Sequence, residues 1–116
     1  MQWYFRGSSQ LPVAVQSWTL PPGGSEGMHR HPADAPVEEL YLVVSGTVSM
    51  QVDDTVHELG PGDAVLAPVG ADHDVRNTGD GTAALVVVWG EPGTAVDWAR
   101  FGSGRAAHEA DRRRTG

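Results

Sequence analysis

Two histidines stand one residue apart at the end of a glycine-rich stretch, GGSEGMHRHP, which spans residues 23–32. On an extended chain, residues i and i+2 point to the same face, so we expect His29 and His31 to project side by side. Two neutral imidazoles in that arrangement can chelate one divalent ion. Most isolated histidine pairs bind no metal, so a site requires further ligands.

A carboxylate begins the next strongly apolar stretch, VEELYLVVSG. Glu38 and Glu39 are both candidates, and Glu39 alternates in phase with Tyr41 and Val43, so it shares their face. A carboxylate buried on an apolar strand is costly unless a cation or a hydrogen-bond donor compensates its charge. A metal ion would supply that compensation.

Short strand-like runs bounded by glycine, proline and aspartate predict the elements that position these side chains. The predicted strands are 13–20, 39–45, 47–52, 56–59, 63–67, 73–77 and 83–90. Their number and spacing predict an all-β antiparallel sandwich or barrel, and a short helix is indicated around residues 106–113. We expect one domain over residues 1–98, followed by a polar, arginine-rich tail over residues 99–116.

The composition narrows both the ligand chemistry and the partners. The chain of 116 residues contains no cysteine, so any metal site must use nitrogen and oxygen ligands. The net charge is −7, and residues 1–98 hold three arginines against thirteen acids, which argues against nucleic acid or an anionic membrane as a partner. No apolar run could span a bilayer and the N-terminus lacks a signal-peptide pattern, so we expect a cytoplasmic protein.

Both faces of the run 39–44 are apolar, because Leu40, Leu42 and Val44 form the face opposite Tyr41. One face must line the interior, and the other must be covered by something else. This pattern favours a homodimer. The alternative is an intramolecular cover by residues 2–6.

Residues 23–46 resemble the first motif of the cupin superfamily, G-x5-H-x-H-x3–4-E-x6-G, and residues 62–77 resemble the second, G-x5-P-x-G-x2-H-x3-N. The matching positions are Gly23, His29, His31, Glu39 and Gly46 in the first motif and Gly62, Pro68, Gly70, His73 and Asn77 in the second. One departure is the spacer between His31 and Glu39, which has seven residues in place of three or four. Since loop-closure entropy grows slowly with length, such an insertion is inexpensive.

The resemblance implies a small single-domain double-stranded β-helix, or jelly-roll barrel, with one divalent transition metal on its inner face. The implied metal ligands are His29, His31, Glu39 and His73. Three histidines and one carboxylate suit Fe(II), which we favour, and also Mn, Ni, Co or Zn. We expect Asn77 to serve a turn or backbone hydrogen bond, and His57 and His108 to lie outside the site.

Three functions are compatible with this resemblance. The first is an Fe(II)-dependent dioxygenase, an oxidoreductase that acts on a bidentate enol, diketone or catechol-like substrate. The second is a non-oxidative metal-dependent isomerase, cyclase or lyase, and the third is a non-catalytic cupin that binds or senses a small molecule. We favour an enzyme, because a metal with open coordination positions is chemically reactive.

Alternation also identifies candidate pocket residues. Tyr41 is the candidate catalytic residue, because its hydroxyl could bind substrate or donate a proton. Other side chains expected to point inward are Val43, Val48, Met50, Val75 and Trp89, with core packing as their more common role. Trp3, Gln16 and Trp18 are candidates for either a pocket mouth or a subunit contact. Since no inward lysine or arginine is evident, we expect a neutral or weakly acidic small-molecule substrate.

Overall fold

A computed structural model of the chain describes residues 1–93, 96–103 and 109 and contains two antiparallel β-sheets. Within these residues the strands are β1 (Gln2–Trp3), β2 (Ala14–Leu20), β3 (Glu38–Ser45), β4 (Val48–Val52), β5 (Thr55–Leu59), β6 (Ala64–Ala67), β7 (His73–Asn77) and β8 (Ala83–Gly90). A 3-10 helix follows at Trp98–Arg100. The larger sheet has the order β1-β2-β8-β3-β6, and the smaller has the order β5-β4-β7.

The all-β class and the seven predicted strands are confirmed, each to within one residue. β1 was not predicted, because a strand of two residues shows no alternation. The helix indicated around residues 106–113 lies outside the described residues except at position 109. Among the described residues, no helix is long and apolar enough to cross a membrane.

The core lies between the two sheets and is built by the alternation of β3, β4, β6, β7 and β8. Its buried members are Tyr41, Val43, Val48, Met50, Ala67, Val75, Ala83, Leu85 and Val87. Full burial of an aliphatic side chain of this size contributes about 1.5–3 kcal/mol. Four of the side chains expected to point inward therefore belong to the core and not to a pocket wall, namely Val43, Val48, Met50 and Val75.

The segment 23–31, here called the histidine arm, lies along the free edge of β7. The backbone N–H of Glu26 donates to the carbonyl of Val75, and His29 and His73 exchange both of their backbone hydrogen bonds. These contacts tie the arm to the smaller sheet. The arm thereby brings the histidine pair to β7, far away in sequence.

The histidine arm is not a regular strand. This differs from the sequence analysis, which expected His29 and His31 to lie on an extended segment. Gly27 has a φ of +93°, so the chain leaves the extended region just before His29. His29 and His31 nevertheless lie side by side, with ring centroids 5.2 Å apart.

Asn77 ends β7 and holds the neighbouring turns by three hydrogen bonds. Its side-chain nitrogen donates to the carbonyls of Leu20 and Gly81, both at 2.8 Å, and its side-chain oxygen accepts from the amide of Gly79 at 2.9 Å. The prediction of a structural role for Asn77 is confirmed.

The outer face of the larger sheet carries a row of apolar side chains. Val15, Val88, Leu40 and Leu66 are direct cross-strand neighbours on β2, β8, β3 and β6, and Leu40 and Leu66 are exposed. β1 pairs edge to edge with β2 and so widens the sheet. Residues 2 and 3 thus lie beside the sheet, whereas Tyr4 and Phe5 line a cavity together with Val15 of this row, so a cover by residues 2–6 stays an alternative.

Candidate metal centre

The structure brings together the four side chains implied by the two motifs. His29 and His31 come from the histidine arm, Glu39 from β3 and His73 from β7, and one ligand atom from each lies within 4.8 Å of the others. This group, here called the histidine cluster, could hold a metal ion. The other carboxylate candidate, Glu38, is exposed and points away.

The two ring nitrogens of His73 have different surroundings. Nδ1 lies 3.1 Å from the carbonyl oxygen of Ala71, which can only accept, so Nδ1 carries the proton. Nε2 therefore presents a lone pair, and it is buried without a hydrogen-bond partner among the described residues. An unsatisfied buried polar atom costs about 1–3 kcal/mol, and coordination to a cation would satisfy it. His73 thus fits a metal site.

Backbone and carboxylate groups orient the other two rings. His29 Nδ1 donates to the carbonyl of Gly27 at 2.8 Å, which leaves its Nε2 as the free lone pair. His31 Nε2 contacts Glu39 Oε1 directly. The hydrogen bond from His29 to Gly27 is of the kind that fixes the tautomer and the ring plane of a metal-binding histidine, whereas the His31–Glu39 contact joins two candidate ligands to each other.

A second carboxyl group, Glu26, lies beside the histidine cluster. Its Oε1 is 3.7 Å from both His29 Nδ1 and His73 Nε2. The Tyr41 hydroxyl lies 3.0 Å from Glu26 Oε1 and 2.5 Å from Glu39 Oε2. Since a phenol has one proton, Tyr41 can donate to only one of these carboxylates at a time. The other hydrogen bond forms when that carboxyl is itself protonated.

The pKa shifts indicate which of these groups is protonated in addition to the Tyr41 hydroxyl. Burial raises the pKa of Glu26 to about 7; the charges of Glu39 and Asp74 add to this, while the Tyr41 hydrogen bond and His29 oppose it. Burial, followed by the charge of Glu26, raises the pKa of Tyr41 well above its usual range. Tyr41 therefore keeps its proton, and Glu26 is the group that gains or loses one near neutral pH.

Glu26 was not identified from the sequence. It lies in an irregular glycine-rich stretch where no alternation indicates its direction, and its importance depends on contact with Tyr41, fifteen residues away. Its position three residues before His29 is the only local signal.

The histidine cluster opens onto a cavity of about 410 Å³. Trp3, Trp18 and Trp89 line it together with His29, His31 and Glu39. A neighbouring cavity of about 490 Å³ shares Trp18 and His29 and also reaches Glu26. Glu26 is thus reached from the second cavity, and Trp18 and His29 line both cavities.

The pocket candidates left open by the sequence now have positions. Trp3, Gln16 and Trp18 all line the cavity, which is consistent with the first of the two roles considered for them. Arg30 and Arg76 are each 58% exposed on the surface. Neither lysine nor arginine lines either cavity within the described part of the chain.

Comparison with known proteins agrees with this architecture. The family model for the cupin domain, Cupin_2, matches residues 16–89. Protein SchB of Streptomyces halstedii is 38% identical over 65 residues, which cover 56% of this chain and 45% of that protein. The chain thus spans about half the length of this curated relative.

Two solved structures are similar over most of the chain. The TT1209 protein of Thermus thermophilus is 30% identical with a TM-score of 0.64, covering 72% of this chain and 78% of its own. A sugar phosphate isomerase from a cupin superfamily, of Silicibacter pomeroyi, is 28% identical with a TM-score of 0.62, covering 75% of this chain and 54% of its own.

Proposed function

This chain belongs to the Cupin_2 family of cupin domains, and on that basis we propose that it is a metal-dependent enzyme that moves a proton on a small, oxygen-rich molecule. The observation that carries the proposal is the second carboxyl beside the histidine cluster. Glu26 lies 3.7 Å from His73 Nε2 and shares the Tyr41 hydroxyl with Glu39.

The ligand set suits a divalent transition metal. His29, His31, Glu39 and His73 would hold the ion, which would supply Lewis acidity and so stabilise negative charge on a substrate oxygen. Two adjacent substrate oxygens would place the reacting carbon near Glu26.

Glu26 performs the proton transfer in this proposal. As a carboxylate it accepts a proton from the carbon next to a carbonyl group; the C–H bond breaks, and its electron pair moves toward the carbonyl oxygen. The protonated carboxyl then returns the proton to the same carbon. Where that carbon carries a hydroxyl, the proton can instead go to the former carbonyl carbon while the hydroxyl proton passes to the former carbonyl oxygen. Burial raises the pKa of Glu26, and its Oε1 lies 3.7 Å from His73 Nε2, so an acid–base group stands beside the cluster. Tyr41 keeps its proton and positions both carboxyls.

This chemistry corresponds to the isomerase, cyclase or lyase class. The similarity to a sugar phosphate isomerase supports the class. A phosphorylated substrate is less suitable here, because the cavity lining within the described residues offers no lysine or arginine to a phosphate group. We therefore propose a neutral or weakly acidic substrate.

The Fe(II)-dependent dioxygenase favoured from the sequence stays a prediction and is the second candidate. The three-histidine, one-carboxylate set supports it, because this mixed nitrogen and oxygen set suits Fe(II). In that reaction Glu26 would remove the hydroxyl proton of an enol or catechol.

The test uses 2-hydroxyacetophenone, which has two adjacent oxygens and C–H bonds beside its carbonyl. In D2O, the protein loaded with Zn or Mn is expected to exchange these hydrogens for deuterium faster than buffer does, as followed by NMR. Glu26→Gln should slow the exchange by about a hundredfold or more and leave the metal content unchanged. Glu58→Gln, at an exposed position on β5, is the matched control and should behave like the unsubstituted protein.

Other outcomes select the other functions. Oxygen uptake by the Fe(II)-loaded protein with catechol or acetylacetone, together with no deuterium exchange, would support the dioxygenase. Binding of these compounds without exchange or oxygen uptake under any divalent ion would support a sensing role. Equal exchange by Glu26→Gln and the unsubstituted protein would reject the role of Glu26.

A further inference from the structure

The cavity above the histidine cluster has aromatic walls. Three of the four tryptophans of the chain line it. Trp89 is the direct cross-strand neighbour of Glu39, so one indole adjoins the cluster itself. Trp18 and Trp89 are only half-buried, and Trp3 is 39% exposed. These rings are therefore not simply core, and their surfaces are available to a ligand.

One buried polar side chain lies between these indoles. Gln16 is 2% exposed, and its Oε1 accepts hydrogen bonds from Trp18 Nε1 at 3.0 Å and Trp89 Nε1 at 3.1 Å. Because an indole N–H can only donate, the amide oxygen must be the atom that faces both rings. The amide orientation of Gln16 is thus determined by its neighbours.

The same constraint determines where the Gln16 nitrogen lies. Because Oε1 faces the two indoles, Nε2 is the amide atom that points away from them. Gln16 itself lines the cavity. Across residues 1–93 and the remaining described positions, no group accepts a hydrogen bond from Nε2. Among the described residues only His73 Nε2 is fully buried without a partner, so the Gln16 N–H groups are reached from the cavity and can donate to an acceptor on a ligand.

We propose that this cavity binds a flat aromatic molecule with two adjacent oxygens at the histidine cluster and a further acceptor oxygen at Gln16. The proposal rests on the proposed function in taking the cluster as the reacting end. Indole walls favour a planar ring through stacking and edge contacts. A cavity of about 410 Å³ falls within the range of small-molecule sites and accommodates one or two fused rings.

The test compares three compounds that share a pair of adjacent oxygens. Hydroxyacetone has no ring, 2-hydroxyacetophenone adds one ring, and 2-hydroxy-1,4-naphthoquinone has two fused rings and a distant carbonyl. Binding to the Zn-loaded protein is measured by isothermal titration calorimetry, because Zn is redox-inert. Affinity should rise by about tenfold or more from the first compound to the second. The third compound is a vinylogous acid and is ionised at neutral pH, so its ring contacts are measured by comparison of the protein variants.

Substitutions separate the ring contacts from the hydrogen bond. Trp18→Leu should lower the affinity for both aromatic compounds by about tenfold and change the affinity for hydroxyacetone by less than about twofold. Trp98→Leu is the matched control, because Trp98 is exposed and does not line this cavity, and it should change nothing. Zn content and circular dichroism show whether each variant is folded.

The Gln16 variants test the donor. Gln16→Glu keeps an acceptor for both indoles and loses the N–H groups. It should therefore lower the affinity for the naphthoquinone by about tenfold and the affinity for 2-hydroxyacetophenone by less than about twofold. Gln16→Met has neither charge nor donor and should also weaken naphthoquinone binding by about tenfold, which excludes charge repulsion as the cause. Because it removes the acceptor of both indoles as well, the comparison with 2-hydroxyacetophenone is made with Gln16→Glu alone.

The two proposals fail in different ways. Equal affinity for hydroxyacetone and 2-hydroxyacetophenone, or equal losses from Trp18→Leu and Trp98→Leu, would overturn the aromatic site even if deuterium exchange occurs. A rise in affinity from hydroxyacetone to 2-hydroxyacetophenone without deuterium exchange would leave the aromatic site intact and reject proton transfer. Unchanged naphthoquinone binding in both Gln16 variants would overturn the role of Gln16.

Discussion

At the residue scale, His73 connects local geometry to metal affinity. The carbonyl of Ala71 fixes its protonated nitrogen, and the other nitrogen is buried at the histidine cluster without a hydrogen-bond partner among the described residues. Rotation of this ring would break the hydrogen bond to Ala71. The affinity of the cluster for a divalent ion should therefore depend strongly on this side chain.

We predict that His73→Ala weakens Zn binding by about a hundredfold or more. Loss of a group that merely orients a metal ligand already costs about 10–100-fold in affinity, so removal of the ligand itself should cost at least as much. His57→Ala is the control, because His57 lies on β5 and outside the cluster. The measurement is metal content after dialysis against a Zn buffer. Equal losses from the two variants would contradict the assignment.

The candidate ligands could be predicted from the sequence because motif spacing fixes both residue type and approximate position. Glu26 could not, since its role arises from distances to Tyr41 and His73 that exist only after the sheets pack. Gln16 is similar: the sequence leaves it between a pocket mouth and a subunit contact, and its amide orientation depends on two indoles from β2 and β8.

At the element scale, two turns contain glycines with similar backbone angles in different surroundings. Gly46 has a φ of +83° between β3 and β4, and Gly62 has a φ of +87° before β6. A Cβ at Gly46 would lie 2.9 Å from Ala83 Cα, whereas a Cβ at Gly62 would meet nothing within 4 Å.

We predict that Gly62→Ala lowers the free energy of unfolding by about 1 kcal/mol, the cost of the left-handed conformation alone. Gly46→Ala should lower it by about 3 kcal/mol or more, because the same conformational cost is joined by a clash with backbone in the core. Urea unfolding followed by tryptophan fluorescence measures both changes. Equal effects would show that the contact with Ala83 relaxes without cost.

The strands could be predicted because each alternates against turn residues that limit it. β1 and the histidine arm could not be assigned in the same way. β1 is defined only by its hydrogen bonds to β2, and the arm is defined by its pairing with β7, more than forty residues later. Long-range pairing is not visible in a local pattern.

At the scale of the whole molecule, the outer face of the larger sheet bears on the oligomeric state. The homodimer favoured from the sequence stays a prediction. The apolar row at Val15, Val88, Leu40 and Leu66 supports it, because exposed apolar patches of this kind commonly mark interaction surfaces.

We predict a mass of about 25 kDa by multi-angle light scattering at micromolar concentration, twice the 12.3 kDa of one chain. The double variant Leu40→Glu and Leu66→Glu should give the mass of a single chain, because it places charges in the centre of the row. Val56→Glu, at an exposed position on the smaller sheet, should keep the larger mass. A mass near 12.3 kDa for the unsubstituted protein would reject the dimer.

The histidine arm has a kinetic consequence. Two of the four candidate ligands, His29 and His31, belong to a segment outside the regular strands, whereas Glu39 and His73 are fixed within the sheets. Detachment of the arm would remove half of the donor atoms and leave both sheets intact. Local openings of this kind require less free energy than global unfolding. The residence time of a bound ion should therefore follow the opening rate of the arm, as reported by amide hydrogen exchange at Glu26 and His29.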